Sequence, residues 1–264
     1  MEKTKAEPPK RSIWSGRISI GLVNVPVRLY TMIRDNTISF RYLHKHDGAP
    51  LKYQKICTLD KEVIPWEEIV KGYEISRNEF VVFTKEELEA IKPESDERIH
   101  IDKFVNLISI DPLYFDKSYI LAPNESKDSY SLMLSAFQKM GMAGVGKFTM
   151  KNKEHPVLIH EYKGALILTI IRYANEIVHP LDLEQLNELP KPTKEELQLA
   201  TKIIENLSGE FDITEYKDGF REKVERLIEK KMQGETIIPE KPQKEEAKEL
   251  MVALKETLTK LEQK

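Results

Sequence analysis

The sequence predicts a mixed α+β protein, mainly β, in which a strand-rich core is followed by a helical segment. Three observations carry that prediction. Apolar residues alternate with polar ones near the amino terminus, β-prone runs separated by turn residues recur up to about Tyr173, and after His179-Pro180 the apolar spacing changes to that of helices.

The elements follow in order. Ile18, Ile20 and Leu22 alternate with Ser19 and Gly21, and Val23, Val25, Val27 and Leu29 alternate with Asn24, Pro26 and Arg28. That period gives two short strands with one buried face, with Gly16 and Gly21 free to bend and Pro26 favouring an edge or a break. Pro65 to Gly72 reads as a short helix stopped by glycine, with Trp66, Ile69 and Val70 on one face. Glu79–Phe83 is a strand. A helix from Thr84 to Ile91 follows it, opened by the capping-box pair Thr84 and Glu87 and ended by Pro93. Ile99 to Ile110 alternates again, with Asp102 and Lys103 on its exposed side.

From Ser129 to Met142 the residues Leu132, Met133, Ala136, Phe137 and Met140 recur at helical spacing, which predicts one buried stripe. Gly141, Gly144 and Gly146 admit a strand from Val145 to Met150, followed by the cationic turn Lys151-Asn152-Lys153. His155–Tyr162 and Ala165–Tyr173 fit a hairpin around Lys163-Gly164. Beyond them, Thr193 and Glu196 make a second capping box, opening a helix with Leu197, Ala200, Ile204 and Leu207 on one side. A helix over about Asp218 to Gln233 carries Phe220, Val224, Leu227 and Ile228. Pro239 and Pro242 precede a last amphipathic helix, Gln243 to Glu262, whose stripe is Ala247, Leu250, Met251, Leu254, Leu258 and Leu261. Helices this amphipathic need a covering surface. No internal repeat is visible.

Bulk properties bound the function loosely. The 264 residues include 41 Lys and Arg against 44 Asp and Glu, so the net charge of −3 gives no general sign of a nucleic-acid binder. The distribution is uneven: between Arg11 and Cys57 the cations are Arg11, Arg17, Arg28, Arg34, Arg41, Lys45, Lys52 and Lys55, and the anions only Asp35 and Asp47. Beyond Leu181 acidic residues outnumber basic ones. The single cysteine, Cys57, excludes an intramolecular disulfide. No apolar run approaches the roughly twenty residues needed to cross a bilayer, and residues 1–10 lack a signal core and read as a disordered lead-in to a cytoplasmic protein.

Enzyme motifs are absent: there is no phosphate-binding Gly-rich loop, no nucleophile elbow and no paired-His metalloprotease motif. His44, His46 and Cys57 are ligand types for zinc, but no fourth ligand is evident and a plain loop is expected; no metal or cofactor is assigned. The cations are the better candidates. Arg17, Arg28, Arg34, Arg41, Lys45, Lys52, Lys55, Lys147, Lys151, Lys153 and Arg172 form a pool from which a phosphate-contacting surface is drawn, such contacts giving affinity without reading bases. A solvated face with no partner has the same composition.

One further signal is a resemblance. The opening Arg11-Ser-Ile-Trp-Ser-Gly-Arg-Ile-Ser-Ile-Gly-Leu-Val-Asn-Val-Pro-Val-Arg-Leu-Tyr30 resembles that of the prokaryotic Ku proteins. Further blocks follow in the Ku order: Phe40 to Gly48, Tyr53 to Cys57, Val70 to Tyr73, Val105 to Asp116, Ser118-Tyr119, Gly146 to Thr149, and Arg172 to Glu176. Many such proteins carry Cys-x-x-Cys where this chain reads Cys57-Thr-Leu-Asp60. The resemblance implies a Ku-like β-barrel core with a DNA-encircling bridge over 11–181 and a helical arm for dimerisation over 182–238; the C-terminal segment over 239–264, set apart by its prolines, either docks a ligase with its Leu/Met stripe or packs back on the core of its own chain. It implies sequence-independent binding of double-stranded DNA ends by a homodimeric ring in non-homologous end joining, in the cytoplasm with the nucleoid, and recruitment of an ATP-dependent DNA ligase. Phe220, Val224, Leu227 and Ile228 are the dimer candidates; Leu250, Met251, Leu254, Leu258 and Leu261 are the ligase-docking candidates. The chain is then no enzyme. The alternatives are a barrel that serves as a protein-interaction module, its basic cluster merely solvated, and third a nuclease.

Overall fold

In the computed structural model, which describes residues 11–35, 37–92, 97–234 and 250–262, the alternating run forms β1 (Trp14–Ile20) and β2 (Val23–Thr31). They pair antiparallel through a turn at Gly21, whose φ of +56° suits a residue without Cβ. Pro26 lies inside β2 opposite Arg17, yet β2 is not an edge strand. Pairing of β2 with its other neighbour stops one residue earlier, at Val27 opposite Pro123, so the missing N–H of Pro26 costs no ladder bond.

The barrel is completed by β5 (Arg98–Asn106), β6 (Phe115–Pro123), β7 (Met142–Met150), β8 (Lys153–Tyr162) and β9 (Ala165–Ile171), introduced in turn after a two-stranded sheet of β3 (Lys71–Ser76) and β4 (Glu79–Phe83). The order around the closed barrel is β1-β2-β6-β9-β8-β7-β5. All its pairs are antiparallel except β1 with β5, where Arg17, Ile18 and Ser19 face Arg98, Ile99 and His100. A parallel closure demands a long connection. The chain supplies it between β2 and β5, in the stretch that holds β3, β4 and the six-residue helix α1 (Lys85–Ala90) with its Thr84–Glu87 capping box.

Two hairpins use left-handed turn residues: Lys151 and Asn152 (φ +52° and +65°) between β7 and β8, and Lys163 and Gly164 (φ +50° and +84°) between β8 and β9. Inward side chains Ile18, Val25, Val27, Leu29, Ile99, Leu121, Phe148, Val157, Ile159, Leu166 and Leu168 fill the core. Trp14 meets Phe148 edge to face at 4.9 Å. Helix α2 (Lys127–Met140), capped by the Ser126 side chain and closed by Gly141 at φ +61°, packs on β2, β7 and β8. Its buried residues are Tyr130 and Phe137, with Met133 and Leu134 beside them; Leu132, Ala136 and Met140, expected in the stripe, are exposed. The covered face also holds a buried polar group, the Tyr130 hydroxyl.

The Tyr130 hydroxyl donates to Leu121 O at 2.6 Å and accepts from Leu166 N at 3.0 Å, bridging the last β6–β9 register pair. Burial pushes this phenol pKa up, so it stays protonated. Replacing Tyr130 with Phe is expected to leave a buried carbonyl and a buried N–H unpaired, costing about 2–4 kcal/mol. The urea midpoint measures it, and an unchanged midpoint would mean that water takes over both bonds.

The structure corrects several expectations from sequence. The helix at Pro65–Gly72 is only a single turn, Trp66–Glu68, and Gly72 belongs to β3. Strand β6 was not apparent in the sequence, and β5 ends at Asn106 rather than Ile110.

The chain divides into two compact units, Met1–Asn36 with Phe40–Val178, and Thr37–Ser39 with His179–Lys264. The second holds α3 (Lys194–Leu207), α4 (Gly219–Met232) and α5 (Leu250–Glu262). The Thr193–Glu196 capping box opens α3 as expected. Its covered side, however, is Leu199, Ala200 and Ile203, against which α5 packs, while Leu197, Ile204 and Leu207 are exposed. The expected disordered lead-in at residues 1–10, Pro239, Pro242 and Ala247 lie outside the described residues, as does the side chain of Leu250.

Candidate nucleic-acid interface

The insertion after β2 begins with two small hairpins that are copies of one another at an offset of 13 residues. In the first, His44 N–H donates to Ala49 O, Gly48 N–H to His44 O and Leu51 N–H to Tyr42 O; in the second, Cys57 N–H donates to Glu62 O, Lys61 N–H to Cys57 O and Ile64 N–H to Lys55 O. The bridges Leu43–Pro50 and Ile56–Val63 correspond, as do the positive φ angles of Gly48 and Lys61, +69° and +65°. Each hairpin also turns on an aspartate. Asp47 accepts from Ala49 N–H at 3.0 Å and faces His44 Nδ1 at 2.9 Å; Asp60 accepts from Glu62 N–H at 3.0 Å and from the Cys57 thiol.

These contacts hold both carboxyls below the usual aspartate range, chiefly through the Ala49 N–H and then His44 for Asp47, and through the Glu62 N–H and then Cys57 for Asp60. A lowered folded-state pKa contributes stability above the ordinary value and loses it as pH falls through the folded one. Acidification from about pH 5 to about pH 2 is therefore expected to loosen both hairpins. The amide NMR resonances of Ala49 and Glu62 should move with that titration, and Asp47→Ala should silence only the first. A flat pH response at both amides would count against these hydrogen bonds.

The candidate cations divide by what they touch. Lys147 Nζ lies 3.2 Å from Glu154 Oε1, and Lys153 Nζ lies 3.9 Å from Glu176 Oε1. Arg172 donates to Leu113 O at 3.0 Å, to Phe115 O, and to Asp116 Oδ1 at 3.1 Å, pinning the irregular start of β6. Lys153, Arg172, Asp116, Glu176 and His155 line a cleft of about 270 Å3, where burial and then Lys153 push the imidazole pKa down. These three cations are committed to the barrel.

Among the described residues, Arg17, Arg28, Arg34, Arg41, Lys45, Lys52, Lys55 and Lys151 carry no ion pair and are exposed. Arg28 points outward from β2, and Lys151 sits at the β7–β8 turn. Arg41, Lys45, Lys52 and Lys55 lie on the paired hairpins, among the exposed aromatics Phe40, Tyr42 and Tyr53. Lys55 Nζ stands 3.7 Å over the Trp66 ring, a cation–π contact that fixes the stem of the second hairpin. The cations that remain able to reach an anionic ligand are thus concentrated on the insertion.

Arg98 and His100, absent from the candidates, sit directly opposite Arg17 and Ser19, and His100 also faces Lys147. Only the β1–β5 closure brings them together, so no sequence spacing reveals them. Of the dimer candidates, Val224 is buried, Leu227 and Ile228 are 37% and 38% exposed, and Phe220 is 73% exposed. Met251, Leu254, Leu258 and Leu261 are half-buried. Among the described residues, no group of three or more His, Cys, Asp and Glu side chains is arranged to hold a metal ion, and no helix is long and apolar enough to cross a membrane.

Residues 19–199 match the model of the Ku family, described as the Ku70/Ku80 beta-barrel domain. The chain is 38% identical over 251 residues to a protein of Anaeromyxobacter sp. (strain K) named non-homologous end joining protein Ku, covering 94% of this chain and 84% of that one. A protein of the same name from Archaeoglobus fulgidus is 35% identical over 249 residues, covering 94% and 98%, and one from Solibacter usitatus is 38% identical over 256 residues, covering 96% and 94%. With a closed barrel under the matched segment and relatives that span nearly its whole length, the chain belongs to the Ku family.

Proposed function

We propose that this chain binds the ends of double-stranded DNA without regard to sequence, as a homodimeric ring, and serves non-homologous end joining by bringing an ATP-dependent DNA ligase to the break. The observation that carries the reading is the set of exposed cations on the insertion between β2 and β5 that carry no ion pair among the described residues: Arg41, Lys45, Lys52 and Lys55. Cations of that reach contact phosphate oxygens in any sequence. The names of the relatives supply the pathway.

A second chain is supported by apolar surface that one chain leaves open. The β3–β4 sheet exposes Tyr73, Phe80 and Val82, and a lone two-stranded sheet is marginal without cover. The helical unit exposes Leu197, Ile204, Phe211 and Phe220. Large open apolar patches mark interfaces. On this reading Leu227→Asp with Ile228→Asp halves the sedimentation mass, because two charges enter a desolvated contact; an unchanged mass with intact helix content moves the interface elsewhere.

The ring is tested with one linear duplex and the same duplex closed into a circle, at two salt concentrations. Preference for free ends, with affinity falling as salt rises, supports threading onto DNA by backbone contacts. Equal binding to both forms overturns the ring, and no binding to either leaves the barrel as a protein-interaction module.

A further inference from the structure

The last helix is already in contact with another element of its own chain. Met251, Leu254 and Leu258 recur at intervals of three and four, with Leu261 continuing the stripe, and all four are half-buried where α5 packs along α3. The residues of α3 that are not exposed are Glu196, Leu199, Ala200 and Ile203, and Lys255 Nζ lies 3.4 Å from Glu195 Oε1. The stripe proposed to dock the ligase is therefore the same stripe that α3 covers. One apolar face cannot satisfy both partners at once.

We infer that α5 is a reversible strap, held on α3 in the free protein and released when the ligase takes its stripe, so that ligase recruitment is restrained by the chain itself. This rests on the ligase-docking reading proposed above. The contact has the character of a low-stability element. No described side chain of either helix is fully buried, and the Lys255–Glu195 pair is exposed on both sides, where such pairs contribute little. A partner that buries the stripe more completely competes successfully. The apparent affinity of a site open only part of the time is reduced by the open fraction.

That relation gives variants of opposite sign. Leu199→Asp on α3 should open the strap without touching the docking stripe, tightening ligase binding by about five- to tenfold, and Glu195→Lys, which only reverses one charge of an exposed pair, should act in the same direction but less. Leu254→Asp with Leu258→Asp on α5 should abolish it. Glu195→Cys with Lys255→Cys, in a Cys57→Ser background and joined by a short bis-maleimide, should hold the strap shut and weaken ligase binding at least about tenfold. Purified ligase is titrated against each protein on a DNA end, with helix content and sedimentation mass confirming that the arm is intact.

Tightening by the α3 variants together with loss on crosslinking supports the strap. If the α3 variants and the crosslink leave ligase affinity unchanged while truncation at Glu240 abolishes it, the strap is overturned and the docking reading survives. If truncation itself has no effect on ligase binding, the docking reading fails and the strap with it. Should Leu199→Asp weaken ligase binding as the α5 variants do, the helix pair is one docking platform and not a switch.

Discussion

Replacing Arg41, Lys45, Lys52 and Lys55 together with alanine is expected to weaken binding to a linear duplex by about a hundredfold or more at low salt, and to flatten the salt dependence by roughly three to four units of log–log slope. The slope is the more telling quantity, since each phosphate neutralised releases about 0.9 of a counterion. These four side chains have no carboxylate partner among the described residues, so no internal anion competes with a phosphate for them. The hairpins should survive, because their backbone bonds and the Asp47 and Asp60 contacts involve none of the four ammonium or guanidinium groups. Lys55→Ala alone does lose the Trp66 contact and should loosen the second stem somewhat. The paired cations give the contrast. Arg172→Ala should act on stability first, because it frees two carbonyls and Asp116, and only secondarily on DNA. An unchanged salt slope in the quadruple variant would move the phosphate contacts off the insertion, with Arg17, Arg98 and His100 on the paired strands β1 and β5 the next to test.

Gly146→Ala is expected to open the barrel. Gly146 lies in β7 opposite Ile101 of β5, and a Cβ there would run into the His100 carbonyl and the Ile101 Cα. The obstacle is backbone, so no side-chain rotation relieves it. The strands must separate, weakening the ladder next to the β1–β5 closure, and the cost should exceed the usual overpacking range of about 1–3 kcal/mol. Denaturant unfolding measures it, with Gly21→Ala for comparison: there the penalty is a positive φ in open space, about 1 kcal/mol. Equal costs at the two positions would mean that β7 shifts freely and that the barrel tolerates a wider β5–β7 spacing.

How much was legible depended on whether the cause was local. Alternation placed β1 and β2, the Thr84–Glu87 and Thr193–Glu196 spacings started two helices correctly, and the turns at Lys151-Asn152 and Lys163-Gly164 formed where expected. Each is decided within a few residues of chain by pleat, cap or turn sterics. The order of blocks identified the family for the same reason, being a property of the chain alone.

Tertiary structure decided the rest. Strand β6, Phe-Asp-Lys-Ser-Tyr-Ile-Leu-Ala-Pro, begins with an irregular pairing that Arg172 pins from 56 residues away in sequence, and such support leaves no local mark. The doubled hairpin escaped notice because its copies share Asp47 with Asp60 and little else. What repeats is a backbone hydrogen-bond pattern. Helix α3 carries apolar residues on both sides, so periodicity allowed either face to be covered, and α5 settled which. Likewise the sequence supplied a pool of cations but not their partners: Lys147, Lys153 and Arg172 are engaged by carboxylates from other strands or turns, while among the described residues those on the insertion have no carboxylate partner. Local conformational preference is written residue by residue, whereas the partner of a charge or an apolar face exists only once distant segments meet.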